Sequence, residues 1–188
     1  MAWHDSVMIA FDVETTGTDP ETARIVSACA VQIAPPDPPT NPPQWLINPG
    51  VEIPAEAVDV HGITTKHARK HGQPPAKALE EITTQLADAM SVGLPLVGMN
   101  LSYDLTVLDR ECRRHGLRTL EDRLGQIRPA IDILVVDKHV DRYRPGGRRL
   151  GDMCAAYGVT LDDAHDAAAD AVAAAHVAWV RGERTQQR

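Results

Sequence analysis

The feature that most constrains the fold of this chain is an apolar run that ends in two acidic residues. Residues 7–13, VMIAFDV, predict a buried β-strand. Because side chains alternate along a strand, Asp12 and Glu14 project to the same face at its end. Paired carboxylates repel one another unless a cation compensates them, and hard cations such as Mg²⁺ or Mn²⁺ prefer oxygen ligands. By itself the pair is a weak signal of a metal site, because most pairs of this kind are residues of a solvated strand edge.

The rest of the chain alternates short apolar runs with segments of helical periodicity. Further strands are predicted over residues 23–33, 44–47 and 94–98, and residues 130–136 are predicted to begin as a strand and to pass into a helix. Helices are predicted over residues 75–90, 102–114, 150–157 and 164–181. Three early strands, followed by helices that alternate with short strands, predict an α/β fold with a mixed sheet and helices on both faces.

No internal repeat or linker divides the 188 residues, so a single domain is expected over residues 1–188. Its core is predicted to span residues 7–181, and residues 182–188 are predicted to form a frayed tail. Residues 35–43, PPDPPTNPP, predict a stiff exposed loop, because proline cannot donate to a sheet ladder. A polyproline segment that binds a partner is the alternative for this loop.

Composition narrows the class of protein. The net charge of −7 argues against general affinity for nucleic acid through a basic surface. It is compatible with a carboxylate site, because bound cations reverse the local sign. The chain has no apolar run of about 18 residues and no signal peptide, so we expect a cytoplasmic protein without a membrane partner. Three scattered cysteines, Cys29, Cys112 and Cys154, are predicted to be buried free thiols.

A second acidic motif lies in residues 98–111, GMNLSYDLTVLDRE. A strand is predicted to end at Gly98 and a helix to begin near Ser102 as N-cap, which puts Asp104 in the first helical turn. The alternative to a site residue is a first-turn acid that the helix dipole favours.

A third motif, AHDAAADAV, spans residues 164–172. His165 and Asp170 would lie roughly 140° apart on a regular helix, so they converge only if His165 precedes the helix. A loop histidine beside an acidic metal site can take a proton from water near neutral pH. Asp163 and Asp166 are alternatives for the ligand role, and an exposed histidine at a helix start is the alternative for His165.

In this order, DVETTG, VGMNLSYDLTVLDRE and HDAAADA resemble the motifs of the DEDDh (DnaQ-like) 3′→5′ exonuclease family. The proofreading epsilon subunit of bacterial DNA polymerase III belongs to that family. Residues 47–64 are also similar to the family's region between the first two motifs, and the resemblance covers about residues 7–180. It implies a ribonuclease-H-like fold with a central five-stranded mixed sheet flanked by helices.

The resemblance also implies chemistry. Two divalent cations, Mg²⁺ or Mn²⁺, would serve hydrolysis of terminal phosphodiester bonds at single-stranded or frayed 3′ ends, with DNA favoured and nucleoside 5′-monophosphates released. His165 would be the general base. The metal ligands would be Asp12, Glu14, Asp104 and Asp170.

The same comparison implies contacts with the substrate. The backbone at Thr15 and Thr16 would meet the terminal nucleotide, and His61 would lie beside its sugar or base. Met99 and Asn100, directly after the strand predicted to end at Gly98, would also contact the substrate. Met99 stands where family members often carry histidine, so contacts there are expected to differ. Three arginines, Arg144, Arg148 and Arg149, would meet phosphates or belong to a solvated loop.

Several alternatives remain at this stage. An RNA-directed exonuclease shares the same acids and histidine, and a non-catalytic nucleic-acid-binding module would share the fold. A phosphatase of the haloacid dehalogenase type also begins with paired acids, but it would use a second aspartate where Glu14 stands. The expected partner is nucleic acid with a free 3′ end. A polymerase partner is considered, but the chain ends soon after its last helix, so a stand-alone exonuclease is expected.

Overall fold

A five-stranded mixed sheet organises the molecule. The computed structural model describes residues 6–34, 36, 37, 39, 42–161 and 164–186. The strands are β1 (Met8–Thr15), β2 (Ile25–Ile33), β3 (Gln44–Leu46), β4 (Leu96–Gly98) and β5 (Ala130–Asp132). Their order is β3-β2-β1-β4-β5, with antiparallel pairs on the β2 side of β1 and parallel pairs on the β4 side. The predicted five-stranded mixed sheet is confirmed.

Helices cover both faces of the sheet, as predicted. They are α1 (Ala55–His61), α2 (Thr65–His71), α3 (Pro75–Ser91), α4 (Leu101–Arg114), α5 (Leu120–Leu124), α6 (Ile133–Val140), α7 (Leu150–Tyr157) and α8 (Ala167–Gln186). Within the described residues, no helix combines the length and the apolar character that crossing a membrane requires.

The alternation of β1 decides which helix its acids meet. Ile9, Phe11 and Val13 are buried in a cluster that includes α3 and α4. Met8 and Ala10 point the other way, into a cluster with the alanine-rich face of α8. Small side chains let α8 approach the sheet closely. Because side chains repeat every two residues along a strand, the next members of this second set are Asp12 and Glu14.

The parallel strands bring three chain segments to one edge of the sheet. β1, β4 and β5 run in the same direction, so their carboxyl ends lie together. β1 ends beyond Asp12, β4 ends at Gly98 and β5 ends at Asp132. This edge therefore collects the loops that follow all three strands.

Several local predictions are wrong. The N-cap of α4 is Asn100 in the left-handed conformation (φ 56°), not Ser102, and asparagine tolerates that conformation better than most residues. Helix α8 begins at Ala167 rather than at residue 164, because Asp166 accepts the first backbone N–H groups. It continues to Gln186, so the segment predicted as a frayed tail is helical over its described part.

Two predictions from the sequence concern residues that lie partly outside the described part of the chain. Residues 35, 38, 40 and 41 of the proline-rich segment, and Asp163, are among these. Helices α1, α2 and α5 have no counterpart among the predicted elements.

The three cysteines are free and buried, as predicted.

The close contact of β4 with β1 gives a testable consequence. A Cβ at Gly98 would lie 2.8 Å from the Phe11 carbonyl oxygen and 2.9 Å from Leu101 Cδ1. We expect Gly98→Ala to lower the free energy of unfolding by about 1–3 kcal/mol, as overpacking does elsewhere. Chemical denaturation would measure this. Gly17→Ala is the matched control, since a Cβ at Gly17 has no neighbour within 4 Å. Equal stability of both variants would contradict the tight contact.

Candidate active site at the carboxyl edge of the sheet

The C-terminal end of β1 presents two carboxylates toward α8. Asp12 pairs with Cys29 and Glu14 with Ser27 in the β1–β2 ladder, so both acids are fixed by backbone hydrogen bonding. Both side chains are half-buried. Phe11 and Val13, which flank Asp12 in the chain, are buried on the opposite face of the sheet. The sequence therefore places the pair where the core meets solvent.

Asp104 reaches the same edge from the opposite face of the sheet. Beyond Gly98, strand β4 no longer lies beside β1. There the Val13 N–H donates to Asp104 Oδ1 at 3.1 Å. Asp104 is only 4% exposed and lies in the first turn of α4. The Asp104 carboxylate therefore accepts a β1 hydrogen bond that β4 does not satisfy, and it also lies close to Asp12.

The start of α8 supplies the remaining groups. His165 lies in the turn before the helix with a left-handed backbone (φ 69°), and Asp170 lies in the first turn. The His165 N–H points to Asp170 Oδ1 at 3.4 Å. This arrangement lets the two side chains converge despite their spacing of five. Asp166 instead caps the helix through Ala168 and Ala169 N–H groups and accepts from Gln44 Nε2 at 2.7 Å.

Electrostatic repulsion dominates the cluster. Burial, followed by the neighbouring charges of Asp104, Asp170 and Glu14, raises the pKa of Asp12 well above its ordinary value. Burial and the charge of Asp170 raise the pKa of Glu14 to about 8. Burial also raises the pKa of Asp104 and of Asp170. Without a compensating cation, the site retains protons at neutral pH.

The donor set fits a divalent cation. One ligand atom from each of Glu14, His165 and Asp170 lies within 4.8 Å of the others. Asp12 adds a carboxylate whose pKa responds to both Glu14 and Asp170. A group dominated by carboxylate oxygens is the set that hard cations such as Mg²⁺ and Mn²⁺ prefer. A cation here would also relieve the repulsion that raises these pKa values.

A cavity of ≈ 610 Å³ opens beside the acids. Its wall includes Glu14 and several residues named from sequence: Thr15, Thr16, His61 and Asn100. Residues of α1 form the opposite side. The volume is within the usual range of ligand sites, about 300–1,000 Å³. Met99 is not among the lining residues; its partly buried side chain packs against the cluster around α8.

The turn after β1 is held by a tyrosine that sequence analysis did not single out. The Tyr103 hydroxyl donates to the Gly17 carbonyl and lies 2.6 Å from Thr15 Oγ1. Thr15 Oγ1 also donates to the Gly17 carbonyl at 2.8 Å. Gly17 does not have a positive φ, so these hydrogen bonds, rather than an unusual backbone conformation, shape the turn.

His61 is a neutral group in this cavity at neutral pH. Its Nδ1 accepts from the Ile63 N–H at 3.1 Å, which leaves the proton on Nε2. That Nε2 is enclosed and makes no hydrogen bond in the described part of the chain. Burial lowers the pKa of His61, and the Thr15 backbone partly opposes this effect. The ring therefore offers an unsatisfied donor beside the Thr15 turn.

Asp132 is a second residue that the sequence analysis missed. Its Oδ1 accepts from the Asn100 N–H at 3.1 Å and from the Leu134 N–H at 2.9 Å. It therefore caps α6 and fixes the left-handed Asn100 that starts α4. Its charge also helps to raise the pKa of Asp104. An aspartate directly after a short apolar run is an N-cap signal, which could have identified it.

Two of the three arginines in the arginine-rich loop bind a buried aspartate rather than face the acidic cluster. Arg148 Nε donates to Asp137 at 2.8 Å, and Arg144 Nη2 lies 3.3 Å from the same carboxylate. Asp137 is buried and also accepts from the Tyr157 hydroxyl at 2.5 Å. Arg144 and Arg148 therefore serve a structural network, while Arg149 is exposed at the start of α7.

The sheet order and the acidic edge define the class of this protein. It is an α/β domain of the ribonuclease-H-like fold, with a carboxylate-rich site at the ends of the parallel strands. The sequence model of the exonuclease family, RNase_T, matches residues 9–178. The chain therefore belongs to the exonuclease family, as its resemblance to DnaQ-like enzymes implied.

Curated relatives are much longer than this chain. It is 27% identical to a PolC-type DNA polymerase III of Streptococcus sanguinis, covering 96% of this chain and 11% of the polymerase. It is 26% identical to the PolC-type polymerase of Lacticaseibacillus paracasei, covering 91% and 11% respectively. The chain thus spans about a tenth of the length of these relatives.

Solved structures of Exonuclease I share the fold. E. coli Exonuclease I in complex with a dT13 oligonucleotide superposes with a TM-score of 0.79 at 22% identity, covering 97% of this chain and 42% of that chain. Exonuclease I from Methylocaldum szegediense gives 0.77 at 24% identity, covering 96% and 41%.

The crowded acids predict an inverted dependence of stability on pH. The pKa of Glu14 is about 8 in the folded protein and about 4.5 ordinarily, so the folded protein binds more protons than the unfolded chain between these values. The free energy of unfolding of the metal-free protein should therefore fall as pH rises through this window. One such carboxyl contributes up to about 1.4 kcal/mol per pH unit. Thermal melts in EDTA would measure the fall.

Two controls accompany these melts. Millimolar Mg²⁺ or Mn²⁺ should flatten the dependence, because a bound cation replaces the protons. Glu14→Gln should have a shallower slope than the unsubstituted protein, whereas Glu81→Gln, on the exposed face of α3, should retain it. A melting temperature that rises from about pH 5 to about pH 8 in EDTA would contradict the assignment.

Proposed function

We propose that this protein is a metal-dependent 3′→5′ exonuclease that removes nucleotides from single-stranded or frayed DNA ends. The observation that carries the proposal is the convergence of four acids and a histidine beside an open cavity. The five residues are Asp12, Glu14, Asp104, His165 and Asp170. Membership of the exonuclease family supports hydrolysis of nucleic acid. A non-catalytic module would have no need for so many mutually repelling carboxylates.

DNA is favoured over RNA as the substrate. The curated relatives are DNA polymerases, and the E. coli Exonuclease I structure holds a DNA oligonucleotide. In our proposal the terminal nucleotide occupies the cavity, with its sugar near the Thr15–Thr16 backbone and His61. The His61 Nε2–H lies near the Thr15 backbone but meets no acceptor at good hydrogen-bonding geometry in the described residues, so a sugar or base oxygen would satisfy it better.

The acids are proposed to hold two divalent cations. Asp12, Glu14 and Asp170 would bind one, and Asp12 with Asp104 would bind the other. When bound, such cations supply Lewis acidity that activates water and neutralises charge on the phosphate and the leaving oxygen. Mg²⁺ or Mn²⁺ suits these oxygen ligands.

His165 is proposed to act as general base. Its exposed position before α8 leaves the ring free to turn toward water at the acidic cluster. A water oxygen forms a bond to the terminal phosphorus while His165 accepts the water proton. The bond between phosphorus and the 3′-oxygen of the penultimate nucleotide breaks, and that oxygen takes a proton from solvent. The products are a nucleoside 5′-monophosphate and a chain one nucleotide shorter.

A polarity assay tests the proposal directly. Single-stranded DNA labelled at its 5′ end should give a ladder of products that shorten from the 3′ end with Mn²⁺ or Mg²⁺, and no products in EDTA. The matching RNA, run in parallel, tests the sugar preference. Immediate release of labelled mononucleotide would show the opposite polarity. Failure to degrade either substrate with metal bound would favour the binding module.

Substitutions at the site provide a further expected outcome. Asp170→Asn should lower kcat by at least about 10²-fold, because cation stabilisation of the reaction is worth several kcal/mol. His165→Ala should lower kcat by about 10²–10⁴-fold while metal still raises the melting temperature. Asp88→Asn and His139→Ala, exposed residues on α3 and α6, are the matched controls. Activity near that of the unsubstituted protein in Asp170→Asn would refute the site assignment.

Tyr103 is proposed to position the turn that receives the terminal nucleotide. Tyr103→Phe removes the hydrogen bond to the Gly17 carbonyl but keeps the ring. We expect KM for DNA to rise by up to about fivefold, as loss of one hydrogen bond near 1 kcal/mol would give, with kcat nearly unchanged. Tyr143→Phe, at 87% exposed, should change neither constant. A fall in kcat without a change in KM would contradict a positioning role.

A further inference from the structure

Helix α2 concentrates positive charge in an acidic protein. Its sequence, TKHARKH, contains three permanent cations, Lys66, Arg69 and Lys70, and all three are exposed. In the described part of the chain, none of them forms an ion pair. Several cations elsewhere are paired with acids; for example, Arg110 binds Glu21, and Lys77 lies 3.8 Å from Glu81. We call Lys66, Arg69 and Lys70 the α2 cations.

The stability of the helix explains only part of this arrangement. Arg69 and Lys70 lie in the last turn, where the helix dipole favours positive charge. Lys66 lies in the first turn, where the dipole disfavours a cation. The first turn has no acidic residue. Helix stability therefore does not explain the position of Lys66.

The α2 cations lie next to the candidate active site. Thr65, Lys66, Arg69 and Lys70 line a cavity of ≈ 570 Å³, in which Glu52 is the single acid. Helix α1 lines the neighbouring cavity beside the acidic cluster. The chain between His61 and Thr65 can span at most about 14 Å, so the two cavities are close. A nucleic-acid strand that left the cavity of the acidic cluster on the α1 side would meet α2.

The helix is held rigidly in this position. The Ile53 N–H donates to Thr65 Oγ1 at 2.8 Å at its start. Beyond its end, Gln73 exchanges backbone hydrogen bonds with Leu46 and Asn48 at 2.8 and 3.0 Å. Ala68 is fully buried against Val26 of β2. A rigid set of cations loses less entropy on binding than a flexible one.

We propose that the α2 cations bind the phosphate backbone of single-stranded nucleic acid, upstream of the 3′ end held in the cavity at the acidic cluster. This proposal rests on the proposed exonuclease function. A polyanionic substrate approaches a protein of net charge −7 unfavourably, so a local positive surface beside the site would offset the repulsion. Long substrates reach the α2 cations, whereas a dinucleotide held at the cleavage site does not.

The test compares long and short substrates. The variant Lys66→Ala/Arg69→Ala/Lys70→Ala should keep its fold, since alanine has the highest helix propensity. For an oligonucleotide of about 15 nucleotides, we expect KM to rise about tenfold, and the slope of log affinity against log salt to weaken by about two, since each phosphate contact contributes about 0.7. Hydrolysis of a dinucleotide should change less than about twofold.

A matched control removes the same charge elsewhere. Lys77→Ala/Arg113→Ala/Arg118→Ala substitutes three exposed cations on α3 and around the end of α4. It should leave KM for the long substrate nearly unchanged. An equal rise of KM in the control would overturn a local binding surface in favour of bulk charge. An equal loss on the dinucleotide would overturn an upstream site.

Direct binding separates this proposal from the proposed function. Fluorescence anisotropy with the same labelled oligonucleotide and no metal measures affinity without turnover. If the unsubstituted protein cuts neither substrate, the proposed function fails, and anisotropy still decides the fate of the α2 cations. Weaker binding by the α2 variant than by its control supports the surface. Equal binding by the unsubstituted protein and the α2 variant overturns it.

Discussion

The mutual repulsion of acidic side chains at the end of β1 is the constraint on which the site depends. Asp12, Glu14, Asp104 and Asp170 come from three separate elements, and burial raises the pKa of each. A fold gains nothing from such crowding by itself, because each carboxylate loses hydration and faces like charges. The acids stay together because rigid backbone holds them: the β1–β2 ladder, the bond from Val13 N–H to Asp104, and the start of α8. Cation binding is the state in which this arrangement is favourable.

The packing of the sheet explains how the acids arrive there. Alternation along β1 sends one set of residues toward α3 and α4 and the other toward α8. Asp12 and Glu14 extend the α8 set, and the close alanine packing of α8 brings Asp170 to them. Asp104 comes around the sheet edge from the opposite face, which is open because β4 ends at Gly98. The short length of β4 is thus a requirement of the site rather than an irregularity of the sheet.

Sequence analysis predicted the parts of this arrangement that depend on local patterns. The runs that form β1, β2 and β3, and the helices α3 and α4, follow from hydrophobic periodicity within one or two residues at most ends. Helices α1 and α2 were missed because each has seven residues and little apolar face; contacts of Ile53 and Ala68 with Val26 hold them instead. The roles of Tyr103 and Asp132 were missed for a different reason. The contacts of Tyr103 with Gly17 and of Asp132 with Asn100 depend on which segments become neighbours at the sheet edge, and only the N-cap role of Asp132 has a local signal.

The protein carries two surfaces of opposite charge, the acidic cluster and the α2 cations. In our proposal the acidic cluster binds divalent cations, and its local potential is positive only when they are bound. The α2 cations carry permanent positive charge and need no metal. Side chains of α1 line the cavity of the acidic cluster, and its partly buried Ala57 and Val58 pack against the apolar cluster that contains Ala68 of α2. In our proposal, a substrate chain held at both surfaces has its 3′ end among the acids and its upstream phosphates at the α2 cations, so the two surfaces together select the end that is cut.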